Sequence, residues 1–172
     1  FLCANNHIFD KGSKGAARTL MKYKELSSKY GIRYVGLSAD QDDLDKNLPL
    51  IVIRKGMRLS LINMTYGTNL GATEHWPKLL YQGEKEAISK ALDKSERYSD
   101  ICIVLPHWGT EYELLHTEDQ EITANWLISH GADIIIGSHP HVAQDIGTIN
   151  GVQVAYSLGN MVSNMSAANT QL

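Results

Sequence analysis

Apolar residues along this chain follow two rhythms. Ala16, Leu20, Tyr23, Leu26 and Tyr30 recur at three- and four-residue intervals, which predicts a helix from about Lys14 to Tyr30 with Gly31 as its stop. Ala87, Ile88, Ala91 and Leu92 predict a second helix over 84–98. Thr117 with Gln120 forms a capping-box pattern that opens a third, ending near Gly131. Elsewhere the apolar residues are continuous. "FLCA", "DICIVLP" and "ADIIIG" read as buried strands, and "RYVGL" as a short one. "PLIVIRKGMRLSLINMTYG" predicts a hairpin turning near Lys55 and Gly56, and "DIGTINGVQVAYSLGN" another around Asn150-Gly151. Residues 67–83, rich in glycine, asparagine and threonine, predict an irregular surface excursion. Helices alternating with buried strands, plus hairpins, place the chain in the α/β class.

Composition narrows the function classes. The 172 residues suit one domain, 43% apolar and 20% charged. A formal charge of −3, with no basic run longer than a pair, gives no support for nucleic-acid binding. No stretch approaches the ~20 consecutive apolar residues of a membrane span. Cys3 and Cys102 sit inside apolar runs, where buried thiols are expected rather than a disulfide framework. The chain opens at Phe1 inside an apolar run, so a single partial domain over 1–172 is expected, with upstream strands missing.

Polar chemistry gathers after three of the strand-like runs. "FLCA" leads to Asn5, Asn6, His7 and Asp10; "DICIVLP" to His107, Trp108 and Glu111; "ADIIIG" to Ser138, His139 and His141. Ligands in open α/β sheets bind beyond the carboxyl ends of the strands. If the runs are parallel neighbours, four of the seven histidines meet on one rim. Imidazole, carboxamide and carboxylate suit Zn, Mn or Fe, and Pro140 between His139 and His141 would hold the two rings divergent. Two ions held this way could clamp a phosphate and activate water. Plainer readings stand beside each residue: His107 as an ordinary strand end, Asn6-His7 as a turn, Asp10 as a helix cap, Glu111 as solvated, and Trp108 and Tyr112 as packing. His75, His116 and His130 are read as structural or solvated.

"ANNHIFDKG", "HWGTEY", "GADIIIGSHPHVAQ" and "YSLGN", in that order, resemble the poly-γ-glutamate capsule synthesis (CapA-like) family, which is similar in fold to calcineurin-like metallophosphoesterases. The resemblance implies a four-layer α/β/β/α sandwich, incomplete here at its N-terminus. It also implies Asn6, His107, His139 and His141 as metal ligands and His7 as the acid, with Asn5, Asp10, Glu111 and Asn160 around them. The superfamily's opening aspartate-histidine motif, and the motif whose aspartate bridges two ions, are absent from this chain. Two divalent ions (Mn, Zn or Fe) are therefore expected in an intact parent, and one or none here. The implied activity is metal-dependent hydrolysis linked to synthesis, export or anchoring of an anionic polymer, with the piece itself inactive. Expected partners are an anionic polymer or phosphoester substrate and membrane-bound capsule synthesis proteins. The expected place is the cell envelope, outside the cytoplasm. The alternative is a non-catalytic polymer-binding or export-assembly component on the same fold.

Overall fold

The computed structural model describes residues 1–70 and 76–164. In chain order the elements are α1 (Gly12–Tyr30), β1 (Leu37–Ser38), α2 (Gln41–Asn47), β2 (Leu50–Arg54), β3 (Met57–Thr65), β4 (Lys78–Leu79), α3 (Lys85–Tyr98), β5 (Ile101–His107), α4 (Glu118–Ser129), β6 (Ile134–Ile136), β7 (Ile146–Ile149) and β8 (Val152–Ala155). Six strands form one sheet in the order β2-β3-β5-β6-β8-β7. The inner four run parallel, and β2 and β7 close the edges antiparallel.

Local chemistry explains most of these elements. Lys55 (φ 48) and Gly56 (φ 82), and likewise Asn150 (φ 49) and Gly151 (φ 86), take the double positive φ of a two-residue hairpin turn. Gly31, at φ 68, ends α1 as expected. The Thr117–Gln120 capping box is fully formed at the start of α4. The core follows the pleat: Ile62, Val104, Ile135 and Val154 stand in one cross-strand row, all fully buried. They pack against Ile88 and Leu92 of α3 and Ala124 and Leu127 of α4. Each of the larger aliphatic side chains contributes about 1.5–3 kcal/mol of burial.

Asn63 leaves β3 on the opposite face from Ile62 and Met64. Its Oδ1 accepts the Ala4 amide at 2.8 Å, and its Nδ2 donates to the Leu105 carbonyl at 2.8 Å. On that side a second cluster joins Cys3, Ala4, Phe9, Leu37 and Leu79 to Ala16 and Leu20 of α1. The layers therefore run helices, six-stranded sheet, short strand pieces, helix. The second strand layer consists of the β1–β4 pair and the single bridge Leu2–Val35.

Five local features differ from expectation. "RYVGL" makes one bridge at Val35 and the short β1 rather than a continuous strand, and "FLCA" pairs with Val35 outside the six-stranded sheet. Helix α2 was not expected; Asp40 caps it by accepting from the Asp43 amide at 2.8 Å. Asp10 caps nothing, because the residue before α1 is Lys11. In the segment 67–83, β4 forms and Leu79 and Leu80 are fully buried, so this stretch reaches into the core. His75 lies outside the described residues. No helix among the described residues is long and apolar enough to cross a membrane.

Candidate metal centre at the strand ends

His107 is the last residue of β5, and the Ser138–His141 turn follows β6 immediately alongside. Backbone bonds pin the two together: Ser138 N donates to the Pro106 carbonyl at 3.0 Å, and Trp108 N to the Ser138 carbonyl at 3.0 Å. The glycine before the turn is required by space. A Cβ on Gly137 would stand 2.0 Å from the Tyr156 carbonyl oxygen and 2.3 Å from Trp108 Nε1. That indole Nε1 donates to the same carbonyl at 2.8 Å. The "GSHPH" glycine thus lets three strand ends approach closely enough to bring His107 and His139 within 4.8 Å, centroid to centroid.

The third contributor arrives from the other layer. Asn63 holds Ala4 against β3, and the chain beyond delivers Asn6, which is buried, with its Oδ1 2.9 Å from His107 Nε2. A hollow of about 310 Å³ is lined by Asn5, Asn6, His7, Asn63, His107, Ser138, His139, His141 and Asn160, among others. The four residues expected as ligands therefore meet in one place, although their strands are not all neighbours in one sheet. A larger hollow of about 440 Å³ between β1, α2 and β2 contains no imidazole.

Each imidazole has a different setting. His107 Nδ1 meets Ser138 Oγ at 3.2 Å, and His141 Nδ1 meets Asn160 Oδ1 at 3.0 Å. His139 is 7% exposed, and its buried Nδ1 has no hydrogen-bond partner. A buried polar atom left this way costs about 1–3 kcal/mol. His139 (φ 104), His141 (φ 65) and Tyr112 (φ 68) also hold a backbone conformation that non-glycine residues rarely adopt, at about 1–3 kcal/mol each. Tyr112 stacks on the His141 ring at 5.9 Å, and Glu111 Oε1 lies 3.8 Å from His141 Nε2. Strain and an orphaned nitrogen thus coincide at His139.

Burial, with the neighbouring imidazoles His139, His141 and His7 adding to it, pushes His107 down to about 3. Burial also lowers His139, against the pull of Glu111. Both rings are therefore neutral at neutral pH, the form in which imidazole donates to a metal. Among the described residues, no three His, Cys, Asp or Glu side chains stand together closely enough to hold an ion. A donor set here has to include a carboxamide, and Asn6 supplies its oxygen. Asn6, His107 and His139 are the side chains that could hold an ion here, while His141 Nε2 lies 3.8 Å from Glu111 Oε1.

His7 is exposed, and its Nδ1 lies 2.7 Å from Asp10 Oδ2, so Asp10 orients the ring expected to act as acid. That contact is the main cause holding Asp10 below the usual carboxylate range. Asn5 lines the hollow with its carboxamide engaged locally: Oδ1 accepts from the His7 amide at 2.9 Å and Nδ2 donates to the Cys3 carbonyl at 3.2 Å. His116 and His130 lie in other settings, on Asp145 and Tyr156 and on Trp126. Two residues escaped the sequence reading. Asn63 sits unremarked inside an apolar strand, and Asn69, in the stretch taken for a surface excursion, contacts Asn6, His7 and Asp10. Nothing local signals either, since their partners lie 42 to 63 positions away.

Residues 1–165 match the family described as bacterial capsule synthesis protein PGA_cap. The chain is 35% identical over 164 residues to the capsule biosynthesis protein CapA of Bacillus anthracis, covering 92% of this chain and 38% of that one. It is 31% identical over 161 residues to the PGA biosynthesis protein CapA of Bacillus subtilis, with 92% and 41% covered. A probable polyglutamine synthesis accessory protein of Mycobacterium tuberculosis is 26% identical, with 43% of its length covered. The chain thus spans about two fifths of the curated relatives it matches. Among solved structures, a putative 5′-nucleotidase from Staphylococcus aureus superposes with a TM-score of 0.60 at 19% identity, covering 90% of this chain and 31% of that one. That likeness gives the fold, a metallophosphoesterase-like α/β sandwich. With the Asn-Asn-His, His-Trp-Gly and Ser-His-Pro-His stretches meeting at one rim, the chain belongs to the bacterial capsule synthesis family.

Proposed function

We propose that the chain carries the ligand-bearing half of a metal-dependent hydrolase site that processes an anionic polymer or a phosphoester during capsule synthesis. One observation carries the reading: the buried, unpartnered Nδ1 of His139 beside the Asn6–His107 pair. Asn6, His107 and His139 would hold a divalent ion, Mn, Zn or Fe. When bound, it would supply Lewis-acid polarisation of a substrate oxygen and a water activated near neutral pH. His141 would serve the second ion of an intact parent, with Glu111, 3.8 Å from its Nε2, orienting the ring. His7, held by Asp10, lines the same hollow and would act as the acid toward the leaving oxygen. Ser138 and Asn160 fix ring orientation from behind the ligands.

The proposed setting is a partial domain of a larger protein at the cell envelope, outside the cytoplasm, working with membrane-bound capsule synthesis partners. The test is hydrolysis of bis(p-nitrophenyl) phosphate and of poly-γ-glutamate by the full-length protein with added Mn²⁺. Turnover lost in His139→Ala and lowered about 10²–10⁴-fold in His7→Ala is expected. No turnover on either substrate, with polymer affinity intact, would support the alternative of a non-catalytic polymer-binding or export-assembly component. That alternative draws on the absence, among the described residues, of any cluster of three His, Cys, Asp or Glu side chains.

A further inference from the structure

We propose that Asn69 is the positioning residue that keeps the carboxamide oxygen of Asn6 turned into the site, an inference that rests on the metal reading above. A carboxamide offers a divalent ion its oxygen only, since its nitrogen is a pure hydrogen-bond donor. Asn6 can serve as ligand in one of its two flips, so something has to choose between them.

The choice is forced by a relay of donors and acceptors that starts at a carboxylate. Asp10, ionised, can only accept. Asn69 Nδ2 lies 3.1 Å from His7 Nδ1 and 3.3 Å from Asp10 Oδ1, and its NH2 donates to that carboxylate. Asn69 Oδ1 then faces the other way, where it accepts from Asn6 Nδ2 at 3.0 Å. Asn6 Oδ1 is left facing His107 Nε2 at 2.9 Å. Flipping Asn6 would set oxygen against oxygen at Asn69 and lose that bond. The spacing is fixed by the backbone, because the Asn69 amide donates to the Asn6 carbonyl at 2.9 Å. Asn69 is exposed, so its replacement leaves the core untouched.

The experiment compares Asn69→Ala with the double variant Asp10→Asn/Asn69→Asp in the full-length protein. The double variant reverses the first link of the relay but still offers Asn6 an acceptor. Mn²⁺ affinity is expected to fall about 10–100-fold in Asn69→Ala and to stay within about threefold of the parent in the double variant. Hydrogen exchange of the Asn6 side-chain NH2, followed by NMR, is expected to be slow in the parent and the double variant and fast in Asn69→Ala. Unchanged Mn²⁺ affinity in Asn69→Ala, or equal loss in both variants, overturns the proposal. Should the parent bind no Mn²⁺, the metal reading fails on its own, and the exchange of the Asn6 NH2 still decides the role of Asn69. A rate unaltered by Asn69→Ala overturns that role, and a faster one upholds it.

Discussion

The carboxamide oxygen of Asn6 lies 2.9 Å from Nε2 of His107, across 101 positions of chain. The two come from different layers, and the join depends on the buried amide of Asn63. In Asn63→Leu the Ala4 N–H and the Leu105 C=O lose their partners, at about 1–3 kcal/mol for each buried group. The expected outcome is about 3 kcal/mol lost in urea denaturation, together with weaker metal binding because the Asn6 loop is released. A loss below about 1 kcal/mol would mean that Asn63 is not the tether.

At His139, the proposed metal role and the stability of the metal-free protein are expected to oppose one another. Its φ of 104 and orphaned Nδ1 both cost free energy in the metal-free protein. His139→Gly removes both, giving up ring contacts with Tyr66 and His107, each 4.8 Å away. Thermal unfolding of the metal-free variant is expected at a higher temperature than the parent, with metal binding abolished. A lower midpoint would show that the turn is not strained for function.

Gly137→Ala tests the close approach of the strand ends. The added Cβ would stand 2.0 Å from a backbone oxygen, which no rotamer relieves. The expected cost is at least about 2 kcal/mol, with the Trp108 fluorescence shifted as its bond to Tyr156 breaks. A variant as stable as the parent would contradict the packing described at the base of the turn.

How much of this could be read from the sequence depends on the range of the interactions. The Lys55-Gly56 and Asn150-Gly151 turns and the Thr117 capping box are local, and their residues name them. That Asn6, His107, His139 and His141 line one hollow was legible because each sits in a short polar stretch after an apolar run. Their meeting was expected from parallel neighbouring strands, whereas Leu2 pairs with Val35 in another layer. Asn63 and Asn69 were invisible for the same reason: an isolated asparagine says nothing of a partner 59 or 63 positions away.

The histidines also set a pH dependence. His107 has a folded value of about 3 against an ordinary 6.5, so between those values the unfolded chain takes up a proton that the folded one refuses. Stability of the metal-free protein therefore rises with pH through this window and is lost as pH falls, by up to about 1.4 kcal/mol per pH unit for that proton. His107→Asn is expected to flatten the slope between pH 6.5 and 4 in denaturant titrations. An equal slope in the variant would place the sensitivity elsewhere.

The central claim is that Asn6, His107 and His139 make one donor set for a divalent ion. Its most direct test is titration of the chelator-treated protein with Mn²⁺, read by the loss of the free-ion electron paramagnetic resonance signal. Saturable binding that disappears in both Asn6→Ala and His139→Ala is the predicted result. No saturable uptake, or uptake that neither substitution changes, would contradict it.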